Sequence, residues 1–243
     1  EGCSNLTALT IPNKVSSIGY RAFYNDTNLS SVVLPTGWRD CPVYSRYYYG
    51  HIFDGCTALT RLDVPDGVTT VPAYAFAENT NLVTVTLPDS IVSIGAYAFD
   101  GCSNLGGVDL GNVYTIGEYA FQNCATLEDL ILSDDLRTIG KYAFRDCVNV
   151  TEITIPSGVT AIGNSAFWLC TGDYAFYGTL LQDITIPSGV NSLNQYTFAS
   201  CPNLNKVTIR RNVTSIHATT FNNSPNVYII CYNGSAAHTF AVN

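Results

Sequence analysis

The chain has 243 residues, a net charge of −8, and only 12% charged against 47% hydrophobic side chains. So acidic a chain offers no clustered Lys and Arg for nucleic-acid phosphates, which excludes a nucleic-acid partner. No apolar stretch approaches the roughly 20 residues of a membrane-spanning helix, so membrane insertion is not expected either.

One phrase organises everything else. It reads "AYAFAENTNL" at 73–82, "AYAFDGCSNL" at 96–105, "EYAFQNCATL" at 118–127, "KYAFRDCVNV" at 141–150 and "QYTFASCPNL" at 195–204. Aligned on its Phe (Phe23, Phe53, Phe76, Phe99, Phe121, Phe144, Phe167, Phe198, Phe221), the steps are 30, 23, 23, 22, 23, 23, 31 and 23. A 23-residue module therefore recurs, with an insertion in two of its copies. Fixed-period repetition is the mark of a solenoid, in which one module buries little and stacked modules share a core. The array is one elongated unit, and its opening on Glu1-Gly2-Cys3 in mid-phrase, with no Met, reads as an excised fragment.

Along the chain, each module begins with a short strand of period two, one face inward. The outward letters are Ala8/Thr10 and Ser31/Val33, then Arg61/Asp63, Thr84/Thr86, Gly107/Asp109, Asp129/Ile131, Glu152/Thr154, Asp183/Thr185 and Lys206/Thr208. The Pro that usually follows ends the strand, because it cannot donate to a ladder. A V-x-x-I segment reads as a turn-like return arm, and the Gly after it as a residue allowed positive φ. The A-F-x-x-C-x-x-L phrase reads as a tight helical or 3₁₀ turn with Ala, Phe and Leu inward.

The insertions interrupt this order. The first replaces a return arm with "TGWRDCPVYSRYYYGH" (36–51), which carries Trp38, Arg39, Tyr44, Arg46, Tyr47, Tyr48 and Tyr49. Tyr, Trp and Arg are over-represented at binding hot spots, and loops on rigid scaffolds commonly carry function. The competing reading folds these aromatics back onto the solenoid flank. The second, "TGDYAFYG" (171–178), precedes its strand, so the two are expected on opposite rims.

The period, the L-x-x-I-x-I strand and the A-F-x-x-C phrase resemble the BspA-like class of bacterial leucine-rich repeats, over essentially the whole chain. The resemblance implies a right-handed solenoid with one short parallel strand per module. It also divides the chain into an array over 1–226 and a closing segment over 227–243, "VYIICYNGSAAHTFAVN", with a last strand, a turn at Asn233-Gly234 and a short helix. Such proteins are typically secreted or surface-attached, and many are implicated in adhesion. An extracellular or cell-surface location follows as an expectation.

Seven of nine cysteines share one slot, three residues after the Phe (Cys3, Cys56, Cys102, Cys124, Cys147, Cys170, Cys201), while Asp26, Asn79 and Ser224 fill it elsewhere. Rungs about 4.8 Å apart do not by distance exclude bridges, but the tolerance of other small residues favours a ladder of free thiols. With no C-x-x-C spacing and three scattered His, no metal and no cofactor are expected. Tyr74, Tyr97, Tyr119, Tyr142 and Tyr196 form a stripe that either holds a ligand or half-buries as a structural ladder. Asp109, Asp129, Glu152 and Asp183 fall on four successive rungs of the exposed sheet, as a solvated acidic stripe or a site for a cation or basic partner. No nucleophile elbow or phosphate loop is present, so no enzyme is expected. The resulting reading is a monomeric, non-catalytic module binding an extracellular protein or glycan through loop 36–51 and the exposed sheet. Its alternative is a spacer presenting another domain.

Overall fold

The computed structural model describes residues 1–38, 51–150, 153–168 and 183–242. It is a parallel β-solenoid of about nine turns. The first sheet runs in three separately hydrogen-bonded stretches: Ala8–Thr10 with Ser31–Val33; Arg61–Asp63, Thr84–Thr86, Gly107–Asp109 and Asp129–Ile131; and Asp183–Thr185, Lys206–Ile209 and Tyr228–Cys231. All pairs are parallel and in register, as in Arg61↔Thr84 and Asp183↔Lys206. Thr84–Thr86, flanked on both sides, buries its middle side chain and exposes the other two.

The return arm is more than a turn. Thr70–Val71, Ser93–Ile94, Thr115–Ile116, Thr138–Ile139 and Ala161–Ile162 pair in parallel as a second sheet, which Ser192–Leu193 and Ser215–Ile216 repeat further along. All but the last of these arms bury one residue, such as Ile116 or Ile139, and Ile216 of the last is partly buried.

The Gly that follows the arm is there for proximity, not for positive φ. A Cβ on Gly140 would lie 2.5 Å from the Gly117 carbonyl oxygen and 2.6 Å from the Glu118 nitrogen. Gly95, Gly117 and Gly163 meet the preceding coil's backbone in the same way. Positive φ falls instead on the Tyr two residues later: 57° at Tyr97 and Tyr119, 56° at Tyr142. The reason is visible in the hydrogen bonds. Tyr97, Phe99 and Gly101 donate their N–H groups to Glu118, Ala120 and Gln122 of the next coil, while Ala98, Asp100 and Cys102 donate back within their own coil. The left-handed residues turn alternate amides toward the neighbour, so the corner forms both local turns and a coil-to-coil ladder. A non-glycine residue in that conformation costs about 1–2 kcal/mol, which a stacked aromatic pair worth about 0.5–1.5 kcal/mol and the added hydrogen bonds offset.

The core is a single column. Phe53, Phe76, Phe99, Phe121, Phe144, Phe167 and Phe198 are buried and stacked with centroids 5.3–5.8 Å apart along most of the run. Beside it run the cysteines. The thiols of Cys102, Cys124 and Cys147 donate to the carbonyls of Phe76, Phe99 and Phe121 at 3.1–3.2 Å. Asn79 and Ser224 donate to Phe53 and Phe198 from the same slot. In these coils the slot holds a small side chain that gives one hydrogen to the preceding coil, whereas Asp26 in the same slot accepts the Cys3 N–H. Cys3, Cys56, Cys102, Cys124, Cys147 and Cys231 are free thiols, and Cys41 and Cys170 lie outside the described residues. Burial pushes the Cys56 thiol up to about 12 and Cys102, Cys124 and Cys147 higher, so little thiolate exists for exchange.

The described chain closes with the strand Tyr228–Cys231 and the helix Ala236–Val242. Ala237 is fully buried, and Phe240 lies 6.0 Å from Phe221.

Candidate binding surface

Three stripes of side chains run along the outside of the solenoid. The first is the outward face of the first sheet. Its two columns pass through Asp183, Lys206 and Tyr228, and through Thr185, Thr208 and Ile230. Most positions are Thr or small, but Val33, Ile131, Tyr228 and Ile230 leave about half of their surface exposed. Tyr232 continues the last rung, with the Arg211 guanidinium 5.6 Å from its ring. Sequence reading passed over Tyr228, Ile230 and Tyr232 because they lie in the closing segment, outside the repeated phrase.

The acidic residues of this face do not form one column. The register sets Asp129 beside Gly107 and Asp109 beside Ile131, so these two carboxylates occupy different columns. Asp109 accepts the Gly111 N–H at 2.9 Å, and Asp183 is ion-paired to Lys206. Asp109 and Asp183 thus have local partners, and Asp109 and Asp129 do not stack on one another, so the expected stack of like charges is corrected for these two rungs. Glu152 lies outside the described residues.

The second stripe is aromatic. Tyr74, Tyr97, Tyr119 and Tyr142 stack with centroids 4.4–4.7 Å apart. His51 extends the stack over Tyr74 at 4.3 Å and is paired with Asp54. At the other end the Arg145 guanidinium lies over Trp168, 4.4 Å from its ring centroid, and Trp168 stacks on Tyr196. The rings are half-buried and their faces are occupied by one another, which leaves edges and hydroxyls outward. A sugar ring stacks on an aromatic face, so this column favours the structural reading. Burial, with Tyr74 and Tyr119 alongside, raises the Tyr97 phenol well above its usual range.

The third stripe was not foreseen. Asp54, Glu78 and Asp100, one or two residues after the Phe on successive coils, make an acidic row. Burial raises Asp100 to about 6, with Glu78 and Asp54 adding to the rise, while Gln122 and Asn123 donate to its Oδ1 and oppose it. Glu78 is raised too, by burial and by Asp54. Among the described residues no group of acidic, His or Cys side chains is arranged to hold a metal ion. The native state thus holds the Asp100 proton more tightly than the unfolded chain, whose Asp titrates near 3.9. Stability from this group is full below about pH 4 and is lost as pH rises through about 6. The Asp100→Asn variant keeps the acceptor oxygen and removes the charge. It should melt higher than the parent at pH 8 and lose that advantage by about pH 4 in a thermal-denaturation series. An equal shift at both pH values would show that the charge is not the cause.

The loop candidates divide. Trp38 is buried at 1% exposure with its ring edge-on to Phe76 at 6.3 Å, so it is a core residue and not an exposed anchor. The Pro35 carbonyl accepts the Trp38 N–H in a turn that carries the ring inward. Arg39, Tyr44, Arg46, Tyr47, Tyr48 and Tyr49 lie outside the described residues, as does 171–178.

A family model described as a BspA type leucine rich repeat region, in six copies, matches residues 1–48, 49–172 and 171–237. Among solved structures, a leucine-rich repeat protein from Bacteroides ovatus is 26% identical, with a TM-score of 0.64 over 93% of this chain. This chain spans 66% of that one, just under two thirds of its length. A T. pallidum leucine rich repeat protein is 28% identical over 70% of this chain and 78% of its own, with a TM-score of 0.61. A leucine rich cell surface protein from Faecalibacterium prausnitzii is 25% identical over 98% of this chain and 82% of its own, with a TM-score of 0.50. No curated protein matches the chain.

Proposed function

The chain belongs to the BspA-type leucine-rich repeat family, and from that premise we propose that it is a non-catalytic binding module at the cell surface. Its ligand is an extracellular protein or glycan, met by a monomer through the outward face of the first sheet. One observation carries this reading. Strand after strand exposes two side chains on a backbone locked by coil-to-coil hydrogen bonds, and exposed Val33, Ile131, Tyr228 and Ile230 stand among small neighbours on that face. A rigid array presenting varied side chains is how solenoids bind extended surfaces, and ordering costs little where the surface is already fixed. The surface location rests on the family and on the cell-surface description of the Faecalibacterium prausnitzii protein.

The test is binding to a panel of extracellular-matrix proteins and glycans by three folded proteins. These are the parent, a sheet variant (Ile131→Glu, Tyr228→Ser, Ile230→Glu), and a loop variant (Tyr47→Ala, Tyr48→Ala, Tyr49→Ala) that leaves Trp38 in the core. The sheet variant should lose about tenfold or more in affinity. Loss confined to the loop variant moves the site to 39–50. Absence of binding by the parent makes the chain a spacer.

A further inference from the structure

Asn233-Gly234 is the single Asn-Gly pair in the sequence. It forms the centre of the turn that joins the last strand to the closing helix, held by a hydrogen bond from Ser235 N–H to the Tyr232 carbonyl at 3.1 Å. Gly234 has a φ of 73° and no atom within 4 Å of where a Cβ would sit. Both residues are exposed, and no hydrogen bond among the described residues ties the Asn233 carboxamide. Four asparagines of the coils differ on both counts. The amides of Asn28, Asn81, Asn212 and Asn226 donate to carbonyls of the preceding coil, and each is followed by a residue with a side chain.

A further group faces the turn. The Gly234 N–H donates to His238 Nδ1 at 3.3 Å, and the His238 backbone is fixed by its own N–H to Ser235 Oγ at 3.1 Å. An imidazole nitrogen accepting a hydrogen bond is unprotonated at that atom, and is positioned to take the proton it accepts.

We propose that Asn233-Gly234 is a self-modifying site, with His238 as the general base and water as the only co-substrate. The turn opens far enough for the Gly234 nitrogen to reach the Asn233 Cγ. A bond forms between them as His238 takes the amide proton, and the Cγ–NH₂ bond breaks as that proton passes to the leaving group, releasing ammonia. The cyclic imide left behind adds water at either carbonyl, giving aspartate or isoaspartate. Nothing is oxidised or reduced. The product carries a new negative charge, and isoaspartate adds a methylene to the backbone between Cys231 and Ala236. Because that link holds Ala237 and Phe240 against the last coil, ageing at this site loosens the closure of the array.

The experiment is incubation of the purified chain at neutral pH and elevated temperature, with peptide mapping and enzymatic labelling of isoaspartate. Asn233 should convert ahead of every other asparagine, and Gly234→Ala should block the conversion. His238→Ala should slow it about tenfold, less than a positioned enzymatic base supplies, and free imidazole should restore the rate in that variant. Asn233 as durable as the coil asparagines would overturn the proposal. His238→Ala converting as fast as the parent, or not answering to imidazole, would remove the base from it.

Discussion

Gly140→Ala is expected to destabilise the protein by about 3 kcal/mol, at the upper end of the overpacking range. The added methyl meets backbone, not the end of a flexible side chain: the carbonyl of Gly117 and the nitrogen of Glu118, both closer than 3 Å. Relief requires the two coils to separate, and the bonds that hold them are Gly140 N–H to Ile116 and Tyr119 N–H to Lys141 at 2.8–2.9 Å. Neither coil can retreat freely, because Gly163 makes the same approach to Gly140 and Lys141 on one outer side, and Gly117 makes it to Gly95 and Ala96 on the other. Gly106→Ala is the control. Nothing lies within 4 Å of its Cβ and its φ is not positive, so it should be neutral or slightly stabilising through the unfolded chain. Urea denaturation of both variants decides the matter. Equal effects would mean that chain entropy, and not contact between coils, governs the glycine column.

Why the repeat was legible and the sites were not follows from what each residue answers to. Phe99, Phe121 and Phe144 meet nearly the same surroundings in every coil, so the same letter is required each time and the period shows in the bare sequence. The first-sheet strands show for the same reason: Val85, Val108 and Leu130 must each be buried between two outward neighbours. The second sheet was harder. Two residues such as Thr115 and Ile116 are too few to display an alternation, and V-x-x-I fits a turn as well as a strand. Gly140 was read for backbone freedom because composition does not separate a glycine needed for φ from one needed for space. That distinction depends on a neighbouring coil 23 residues away. The surface was least legible. Outward positions are free to vary, so Asp109 and Asp129 suggested a column that the register denies, and Trp38 looked like an anchor although it fills the core. The acidic row of Asp54, Glu78 and Asp100 arises at positions where other coils place Ala77, Gln122 or Arg145, and no periodic signal marks it.

Phe121→Ala should cost about 3–5 kcal/mol, and the size of the loss should depend on position in the column. Phe121 is fully buried between Phe99 at 5.3 Å and Phe144 at 5.5 Å, so truncation opens a cavity and removes two stacked contacts. Its carbonyl also accepts the Cys147 thiol, so movement of the backbone into the cavity would strain the next coil. Phe221, near the closing helix, is only half-buried and faces Phe198 at 5.9 Å and Phe240 at 6.0 Å with a tilted ring. Phe221→Ala removes less buried area and should cost about 2 kcal/mol, near the low end for large-to-small changes. In a solenoid each coil touches only its neighbours, so the interior change weakens two interfaces and the terminal one chiefly frays an end. Equilibrium denaturation followed by hydrogen exchange distinguishes these. Phe121→Ala should lower protection on both sides of its coil, whereas Phe221→Ala should lower it only beyond about residue 215 if the array unfolds from its ends. Identical global losses would mean that the column acts as one cooperative block and that nearest-neighbour reasoning does not apply to this chain.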